Sequence, residues 1–193
     1  MVNINELLDK FEETIMEEKF IESRSIGDDN NYYVFDYPHE KEMEVRNRIE
    51  SMIIKSQKGA YPSELILFDI YDFTIDLLEK RGFLEMAYQF EEKNGMAFVA
   101  DTVQSLLSKD GKELKIFIDH IERNSNTDSV ILVGGIGKIH PIIKAKTILS
   151  SLQSTSNQSS TILLFPGTFT GLQLNLFEKI SEENYYRALK LLD

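Results

Sequence analysis

Two short runs of the sequence are almost entirely apolar and end at turn residues. They are "LILFDIYD" and "STILLFPG". A strand with apolar side chains on both faces must be covered on both faces, as in a parallel sheet between two layers of helices. These runs constrain the fold more than any other feature. They predict one strand from Leu65 to Asp72 and another from Ser160 to Gly167.

Strand and helix patterns alternate along the rest of the chain. "YYVFDYP" predicts a strand over Tyr32 to Asp36, and "DSVILVGG" predicts another. Apolar residues at helical spacing follow the strands in "HEKEMEVRNRIESMIIKSQ", "FTIDLLEKRGFLEMAYQFEEKNG", "AFVADTVQSLLSKDG", "KELKIFIDHIERNS" and "HPIIKAKTILSSL". The prediction is a three-layer α/β/α sandwich with a mainly parallel sheet of about four to five strands, similar to P-loop and Rossmann domains.

Local signals predict where individual helices begin. Asn5 is expected to cap an N-terminal amphipathic helix, and Pro141 is expected in the first turn of the helix after the third strand. "SEENYYRALKLL" is predicted to be a last helix, capped by Ser181 with Glu183 or Asn184 in its first turn.

The length of 193 residues suits one α/β domain over residues 1–193, with the amphipathic helix of residues 1–25 packed on it. The N-terminus has acidic residues among its apolar positions, unlike a signal or transit peptide. No apolar run approaches the roughly 18 residues of a membrane helix. The chain is therefore expected to be cytoplasmic and to have no membrane partner.

Charge and cysteine content exclude several classes of site. The formal net charge is -11, from 21 Lys+Arg against 32 Asp+Glu, which disfavours direct nucleic-acid binding. The sequence has no cysteine, so it has no disulfide, no thiolate zinc site and no cysteine nucleophile.

In open α/β sheets, ligands and partners meet the carboxyl ends of the strands. Those ends are here "FDYP", "FDIYD", "VGGIGK" and "FPGTFTG". The candidate interaction surface consists of Asp36, Tyr37, Asp69, Tyr71, Gly134, Gly135, Gly137, Lys138, His140, Pro166, Gly167, Thr168, Phe169 and Gly171. Asp36, Asp69 and Asp72 cluster at strand ends as catalytic carboxylates often do, and they are equally expected as caps of the helices that follow.

The stretch "VILVGGIGKIHP" resembles a phosphate-binding loop, but its spacing does not fit one. A P-loop needs a glycine where Leu132 stands and a serine or threonine where Ile139 stands. The dinucleotide pattern fits Gly135 and Gly137, but its third glycine is replaced by His140. We expect a tight turn with Lys138 in solvent; the alternative is a helix N-terminus that takes a partner's carboxylate.

Other chemistry has little support in the sequence. His39 and His140 follow strand ends, but they lack a nucleophile or a clear third ligand, and His120 is expected at the surface or an edge. The pattern G-x-S-x-G does not occur. We predict no catalytic residue, no metal site and no cofactor.

Five segments together resemble one known family. They are "FDYPHEKEMEVRNRI", "ILFDIYDFTIDLLEKRG", "ILVGGIGKIHPIIKAKTILSSL", "LLFPGTFTGLQLNLF" and "YYRALKLL", which span about Tyr33 to Leu192. In order and spacing they are similar to the BrxB family of bacteriophage exclusion (BREX) systems, formerly a domain of unknown function. The family's turn pattern G-x-G-x-x-x-P matches Gly135, Gly137 and Pro141.

The resemblance implies a small component of a multi-protein phage-defence system. Its expected partners are a PglZ-like protein of the alkaline-phosphatase type, a large P-loop ATPase, and the assembly that contains an adenine methyltransferase. Two hypotheses follow: a non-enzymatic adaptor that docks such partners, or a vestigial nucleotide- or small-ligand-binding regulator. Direct DNA binding, a third hypothesis, is disfavoured by charge.

Overall fold

The fold is built on a seven-stranded sheet in a computed structural model that describes residues 3–17, 20, 31–154, 159–183 and 188–192. The strands are β1 (Tyr32–Tyr37), β2 (Leu65–Asp69), β3 (Val130–Gly134), β4 (Ser160–Phe169), β5 (Gln173–Leu176), β6 (Ile180–Glu183) and β7 (Leu189–Lys190). Five strands lie in the order β2-β3-β4-β1-β7 and all pair in parallel, while β5 and β6 extend β4 antiparallel. The predicted α/β fold with a mainly parallel sheet is confirmed.

Helices cover both faces of this sheet. Among the described residues they are α1 (Ile4–Met16), α2 (Glu42–Gln57), α3 (Ile70–Lys80), α4 (Leu84–Asn94), α5 (Met96–Leu107), α6 (Lys115–Arg123), α7 (Ile136–Ile139) and α8 (Ala145–Gln153), with a 3₁₀ turn at His39–Lys41. Helices α1 and α2 share one apolar cluster with the sheet, and α3, α5, α6 and α8 share the other. The three-layer arrangement follows from these two clusters.

Strand β3 shows why the central strands are apolar at every position. Ile131 and Val133 enter the cluster with α3 to α8, whereas Val130 and Leu132 enter the cluster with α1 and α2. All five residues of β3 are buried. Because successive side chains of a strand point to opposite faces, a strand covered on both faces has no polar side.

The N-terminal helix begins earlier than predicted. Asn3, not Asn5, is its cap, and the Asn3 side chain accepts a hydrogen bond from the N–H of Asn5. Helix α1 ends at Met16, and it packs on the sheet through Phe11, whose ring centroid lies 4.4 Å from that of Phe35. Residues 18–19 and 21–25 of the predicted helical segment lie outside the described residues.

The second strand and the helix after it are shorter than predicted. Strand β2 ends at Asp69, because the Asp69 side chain accepts hydrogen bonds from the N–H groups of Tyr71 and Asp72 and so caps α3. The single helix predicted up to Gly95 is two helices. Gly82, at φ 70°, turns the chain between α3 and α4, a conformation that favours glycine.

The predicted position of Pro141 is wrong. The chain forms the short helix α7 directly after β3, and α8 begins only at Ala145, after Lys144 in extended conformation. Pro141 lies between the two helices, in neither of them. The cause is the left-handed Gly135, which lets a helical turn start immediately after the strand.

The predicted C-terminal helix is also wrong. Ser181 lies in β6, opposite Asn175 of β5, and Leu189–Lys190 form β7 beside β1. Asn184 falls outside the described residues. Because β4 extends to Phe169, β5 and β6 continue from it as antiparallel strands. The hydrogen bonds between these strands satisfy the backbone groups that would otherwise pair within a helix. No helix within the described parts of the chain is long and apolar enough to cross a membrane.

Candidate functional site

The parallel strands β1, β2, β3 and β4 all have their carboxyl ends at the same end of the sheet, which we call the strand-end region. The helix after β1 packs on one face, whereas the helices after β2 and β3 pack on the other. In open α/β sheets the crevice for a ligand opens where the connections diverge in this way. The predicted candidate residues therefore belong to one region, and their side chains decide what that region can bind.

Asp69 and Lys138 fill the centre of this region. The Asp69 Oδ1 atom accepts hydrogen bonds from the N–H groups of Tyr71 and Asp72, both at 3.0 Å. The Lys138 Nζ atom lies 2.8 Å from Asp69 Oδ2 and 2.8 Å from Asp72 Oδ1. It also lies 5.0 Å from the centroid of the Tyr71 ring. The prediction that Lys138 is solvated is wrong, because its ammonium is held by two carboxylates and an aromatic face.

The environment of Lys138 favours its charged form. Burial lowers the pKa of Lys138, but hydrogen bonds and charge attraction from Asp69 and Asp72 outweigh burial and raise the pKa above its ordinary value. Lys138 is therefore a cation at neutral pH, and Asp69 and Asp72 balance its charge within the protein. An incoming phosphate would have to displace one of these carboxylates and face the other.

The glycines of the turn make room for the protein's own side chains. Gly135 has φ 81°, and a Cβ atom there would overlap the Asp69 carboxylate. A Cβ atom at Gly137 would come within 2.9 Å of the Phe177 ring. Gly134 is buried as the last residue of β3. In a nucleotide site such glycines let the backbone approach a phosphate, whereas here they accommodate a carboxylate and a phenyl ring.

Asp36 and Tyr37, at the end of β1, make contacts within the fold. The Asp36 Oδ2 atom accepts a hydrogen bond from the Phe169 N–H at 3.0 Å and pairs with Lys190 Nζ at 3.2 Å. The Tyr37 hydroxyl donates to Glu42 Oε2 at 2.7 Å. Burial, with Glu42 adding to it, raises the pKa of Tyr37 well above its ordinary value, so the hydroxyl remains a donor. Of the three aspartates considered as helix caps, only Asp69 is one.

The segment "FPGTFTG" forms the end of β4 and its turn into β5. Pro166, Gly167 and Phe169 are buried, and a Cβ atom at Gly167 would overlap the Asn175 carbonyl of β5. Thr168 and Leu172 are exposed, and Leu172 retains 64% of its accessible surface. Gly171 is partly buried and has φ 87° in the turn. The exposed lip of the region is thus this turn, not the buried aromatic rings of Tyr37 and Phe169.

The three histidines occupy different environments. The His39 ring lies 5.9 Å from the Phe177 ring, and His39 Nδ1 lies 3.5 Å from Glu40 Oε2. The buried Nδ1 of His140 has no hydrogen-bond partner among the described residues. His120 packs 4.8 Å from Phe73, and burial lowers its pKa. Within the described residues, no three side chains of His, Asp or Glu come together as metal ligands.

A small cavity of about 100 Å³ opens beside the turn. Tyr37, Arg46, Asp69 and Gly134 contribute to its wall. Ligand pockets for drug-sized molecules have volumes of roughly 300–1,000 Å³, so this cavity suits a small molecule or water and not a nucleotide.

Comparison with known proteins identifies the family. A family profile described as "BREX protein BrxB" matches residues 66–191, which is well over half of the chain. The chain belongs to the BrxB family. A BrxB protein of Bacillus cereus (strain H3081.97) is 32% identical over 195 residues, which cover 100% of both chains. A BrxB protein of Escherichia coli O9:H4 (strain HS) is 26% identical over 185 residues, or 96% of this chain and 90% of that one.

No solved structure matches the chain. Membership of the BrxB family implies a role in the BREX phage-defence system. The predicted resemblance to this family is thereby confirmed.

Sequence reasoning missed four side chains of the region, namely Glu42, Arg46, Phe177 and Lys190. Lys190 lies in the segment predicted as helix, and Phe177 ends the segment "LLFPGTFTGLQLNLF", in which no local pattern indicates its contact with the glycine turn. The pairing of Lys138 with Asp69 carries a signal only in the strand order, because the carboxyl ends of neighbouring parallel strands lie side by side. That signal required knowing that β2 and β3 are neighbours.

Proposed function

We propose that the protein is a non-enzymatic interaction component of the BREX system, which binds the PglZ-like protein, the large P-loop ATPase or both. The observation that carries the proposal is the occupation of the glycine turn by Asp69, Asp72 and Phe177. Lys138, Gly135 and Gly137 of this turn all make close contacts within the protein, so the turn presents a fixed shape to a partner. It offers no free cation to a phosphate.

The exposed lip of the strand-end region is the proposed contact surface. Thr168 protrudes from the end of β4 and Leu172 from the turn into β5, while the buried Phe169 anchors this segment in the core. An exposed leucine on a well-anchored turn is an apolar contact for a partner at low entropic cost, because the turn is already ordered. Among the other candidate residues, Asp36 holds this segment in place by accepting a hydrogen bond from the Phe169 N–H.

Pull-down of the tagged chain from cells that carry the whole BREX system tests the proposal. Recovery of the PglZ-like protein or the ATPase is expected, and Leu172→Glu is expected to reduce it at least about fivefold by placing a charge in an apolar contact. Tyr88→Glu is the matched control, since Tyr88 is 61% exposed on α4, outside the strand-end region. Absence of every BREX component from the unmodified pull-down would refute the proposal.

The second candidate function is binding of a small regulatory ligand in the cavity beside Gly134. Arg46 and Asp69 in its wall are the observation that favours it, since they are the kind of polar groups that orient a ligand. A thermal-shift series with small anions such as inorganic phosphate, and with ATP and GTP as larger ligands, tests this function. A ligand present at 100 times its Kd stabilises by about 2.7 kcal/mol. We expect no shift at millimolar concentrations of any of these ligands, and a saturable shift with any of them would favour the second candidate.

A further inference from the structure

Strand β2 lies at the edge of the sheet with one side open. Within the described part of the chain, β3 is the strand that pairs with β2, through the register Leu65↔Val130 to Asp69↔Gly134. An open edge presents backbone N–H and C=O groups that another chain can pair with. Most natural edges are blocked by a charge, a proline or a covering loop, and β2 itself has only Asp69 at its very end.

The hydrogen bonds of β2 show which backbone groups face outward. The Val130 N–H donates to the Glu64 carbonyl at 2.8 Å, so Glu64 and Ile66 direct their backbone groups toward β3. Leu65 and Leu67 therefore direct theirs to the open side. The Leu65 N–H donates to Ser56 Oγ at 2.8 Å, which closes that end of the edge. Both backbone groups of Leu67, which retains 36% of its accessible surface, remain for a partner.

Two grooves flank this edge and give it side-chain pockets. A groove of about 510 Å³ runs between α2 and β2, where it is lined by Ile54 and Ile66. Another, of about 430 Å³, lies between the end of β2 and helices α3 and α6, where it is lined by Phe73 and His120. Leu67 borders both grooves. Since side chains of an added strand alternate between two faces, the two grooves would each receive alternate residues.

Apolar surface is exposed along the edge. Ile54 retains 53% and Leu67 36% of its accessible surface. An added strand would cover both of these side chains.

The charge of the groove lining indicates which kind of segment would bind there. Glu50, Glu64, Asp69, Asp72 and Asp76 line them, against Lys80 as the one ammonium among the described lining residues. His120 does not add to the positive charge, because burial, together with repulsion by Lys80 and Arg123, lowers its pKa. Lys138 offsets only Asp69 and Asp72. The rim is therefore acidic, and it repels a second copy of this edge while it attracts basic side chains.

We infer that the open edge of β2 is a docking site for an extended segment of another protein, which adds a strand to the sheet and alternates apolar with lysine or arginine side chains. The inference rests on the proposed interaction function and gives it a second surface, separate from the turn at Leu172. Main-chain hydrogen bonds at Leu67 would supply affinity, and the acidic grooves would supply selection.

Hydrogen exchange of backbone amides in the isolated protein tests whether the open edge of β2 binds an added strand. The probes are short blocked peptides of alternating lysine and valine, and their glutamate–valine counterparts. The lysine–valine peptide is expected to bind and to slow hydrogen exchange of the Leu67 amide at least about tenfold, because the amide becomes hydrogen-bonded. The glutamate–valine peptide is expected to leave the exchange of this amide unchanged.

Two variants separate backbone pairing from side-chain contact. Leu67→Pro removes the outward N–H, and edge strands tolerate proline where the N–H faces solvent. It is expected to weaken lysine–valine peptide binding about tenfold or more, whereas Leu67→Ala, which keeps the N–H, weakens it less. If Leu67→Pro does not fold, hydrogen exchange of the Leu67 amide in the unmodified protein still shows whether the peptide pairs with the edge.

Charge reversal in the groove lining tests independently whether acidic side chains select the peptide. Glu50→Lys combined with Asp76→Lys is expected to abolish binding of the lysine–valine peptide. Glu85→Lys combined with Glu91→Lys changes the net charge equally on α4 and is expected to retain it.

Three results would overturn the edge proposal. They are an unprotected Leu67 amide at saturating peptide, equal binding of both peptides, and protection that appears with protein concentration alone, which would assign the edge to a second copy. Recovery of BREX components by the Leu67→Pro variant at the level of the unmodified chain would overturn the edge as their docking site and leave the interaction function standing. Failure of the unmodified chain to recover any component would instead refute the interaction function.

Discussion

At the residue scale, Asp69 joins the start of α3 to Lys138. One carboxylate oxygen caps the helix and the other pairs with the ammonium, so a single side chain fixes two elements. The exposed side chain of Asp72, at 62% accessibility, shares the same lysine. Because Asp72 is exposed, solvent screens its pair with Lys138 more strongly. An exposed ion pair of this kind contributes only about 0–1 kcal/mol.

Asp69→Ala is expected to lower the free energy of unfolding by about 1–2 kcal/mol, because it removes a helix cap and a half-buried ion pair. Asp72→Ala is the control and is expected to cost less than about 1 kcal/mol. Urea denaturation of both variants measures the difference. Equal losses would contradict the role assigned to Asp69.

Gly135→Ala is expected to destabilise by more than the cost of its backbone conformation, because the new Cβ would overlap the Asp69 carboxylate. Gly59→Ala provides the matched control, since Gly59 has φ 75° and open space around it. The control isolates the conformational cost of about 1 kcal/mol or more. A larger loss at Gly135, partly relieved when combined with Asp69→Ala, would show the overlap in a double-mutant cycle; two equal losses would refute it.

Spacing alone predicted that the turn lacks a P-loop, because Leu132 and Ile139 stand where the phosphate anchors belong. Spacing did not predict what occupies the turn. Asp69 precedes Lys138 by 69 positions and lies beside it only because β2 and β3 pair. A contact of this kind follows from strand order, which a single sequence does not encode in any local pattern.

At the scale of elements, the apolar runs predicted the central strands, because burial on both faces leaves the same signature in any parallel sheet. The elements after Phe169 were mispredicted for a physical reason. "SEEN" fits a helix cap as well as a strand end, and the choice is made by the backbone pairing of β5 with β6. Tertiary pairing decided this segment over local propensity.

Helices α1 and α2 are joined by a cluster around Glu12. Arg48 Nε donates to Glu12 Oε2 at 3.0 Å and Lys55 Nζ donates to Oε1 at 3.1 Å, while the Tyr61 hydroxyl also donates to Oε1. Burial alone would raise the pKa of Glu12, but these three donors lower it below its ordinary 4.5. A carboxylate whose pKa is lowered on folding stabilises the protein above its unfolded pKa.

The contribution of Glu12 is therefore complete above about pH 4.5 and is lost as the pH falls through the folded pKa. Glu12→Gln is expected to lower stability at neutral pH and to flatten the acid limb of the stability curve. Glu13→Gln, on the exposed side of the same helix, is the control. Urea unfolding between about pH 3 and pH 7 checks this, and an unchanged acid limb in Glu12→Gln would contradict it.

At the scale of the whole molecule, the net charge of -11 and the acidic edge of β2 favour a partner with a basic surface. Electrostatic attraction of this kind acts over a Debye length of about 8 Å at physiological salt. Association with such a partner should therefore weaken as ionic strength rises.

Direct binding between purified proteins tests the interaction role most sharply. Sedimentation velocity of the chain mixed in turn with the purified PglZ-like protein and the purified BREX ATPase is the measurement. We expect a faster boundary that contains both proteins in at least one mixture and that diminishes at high salt. Unchanged boundaries in both mixtures at physiological salt would contradict it.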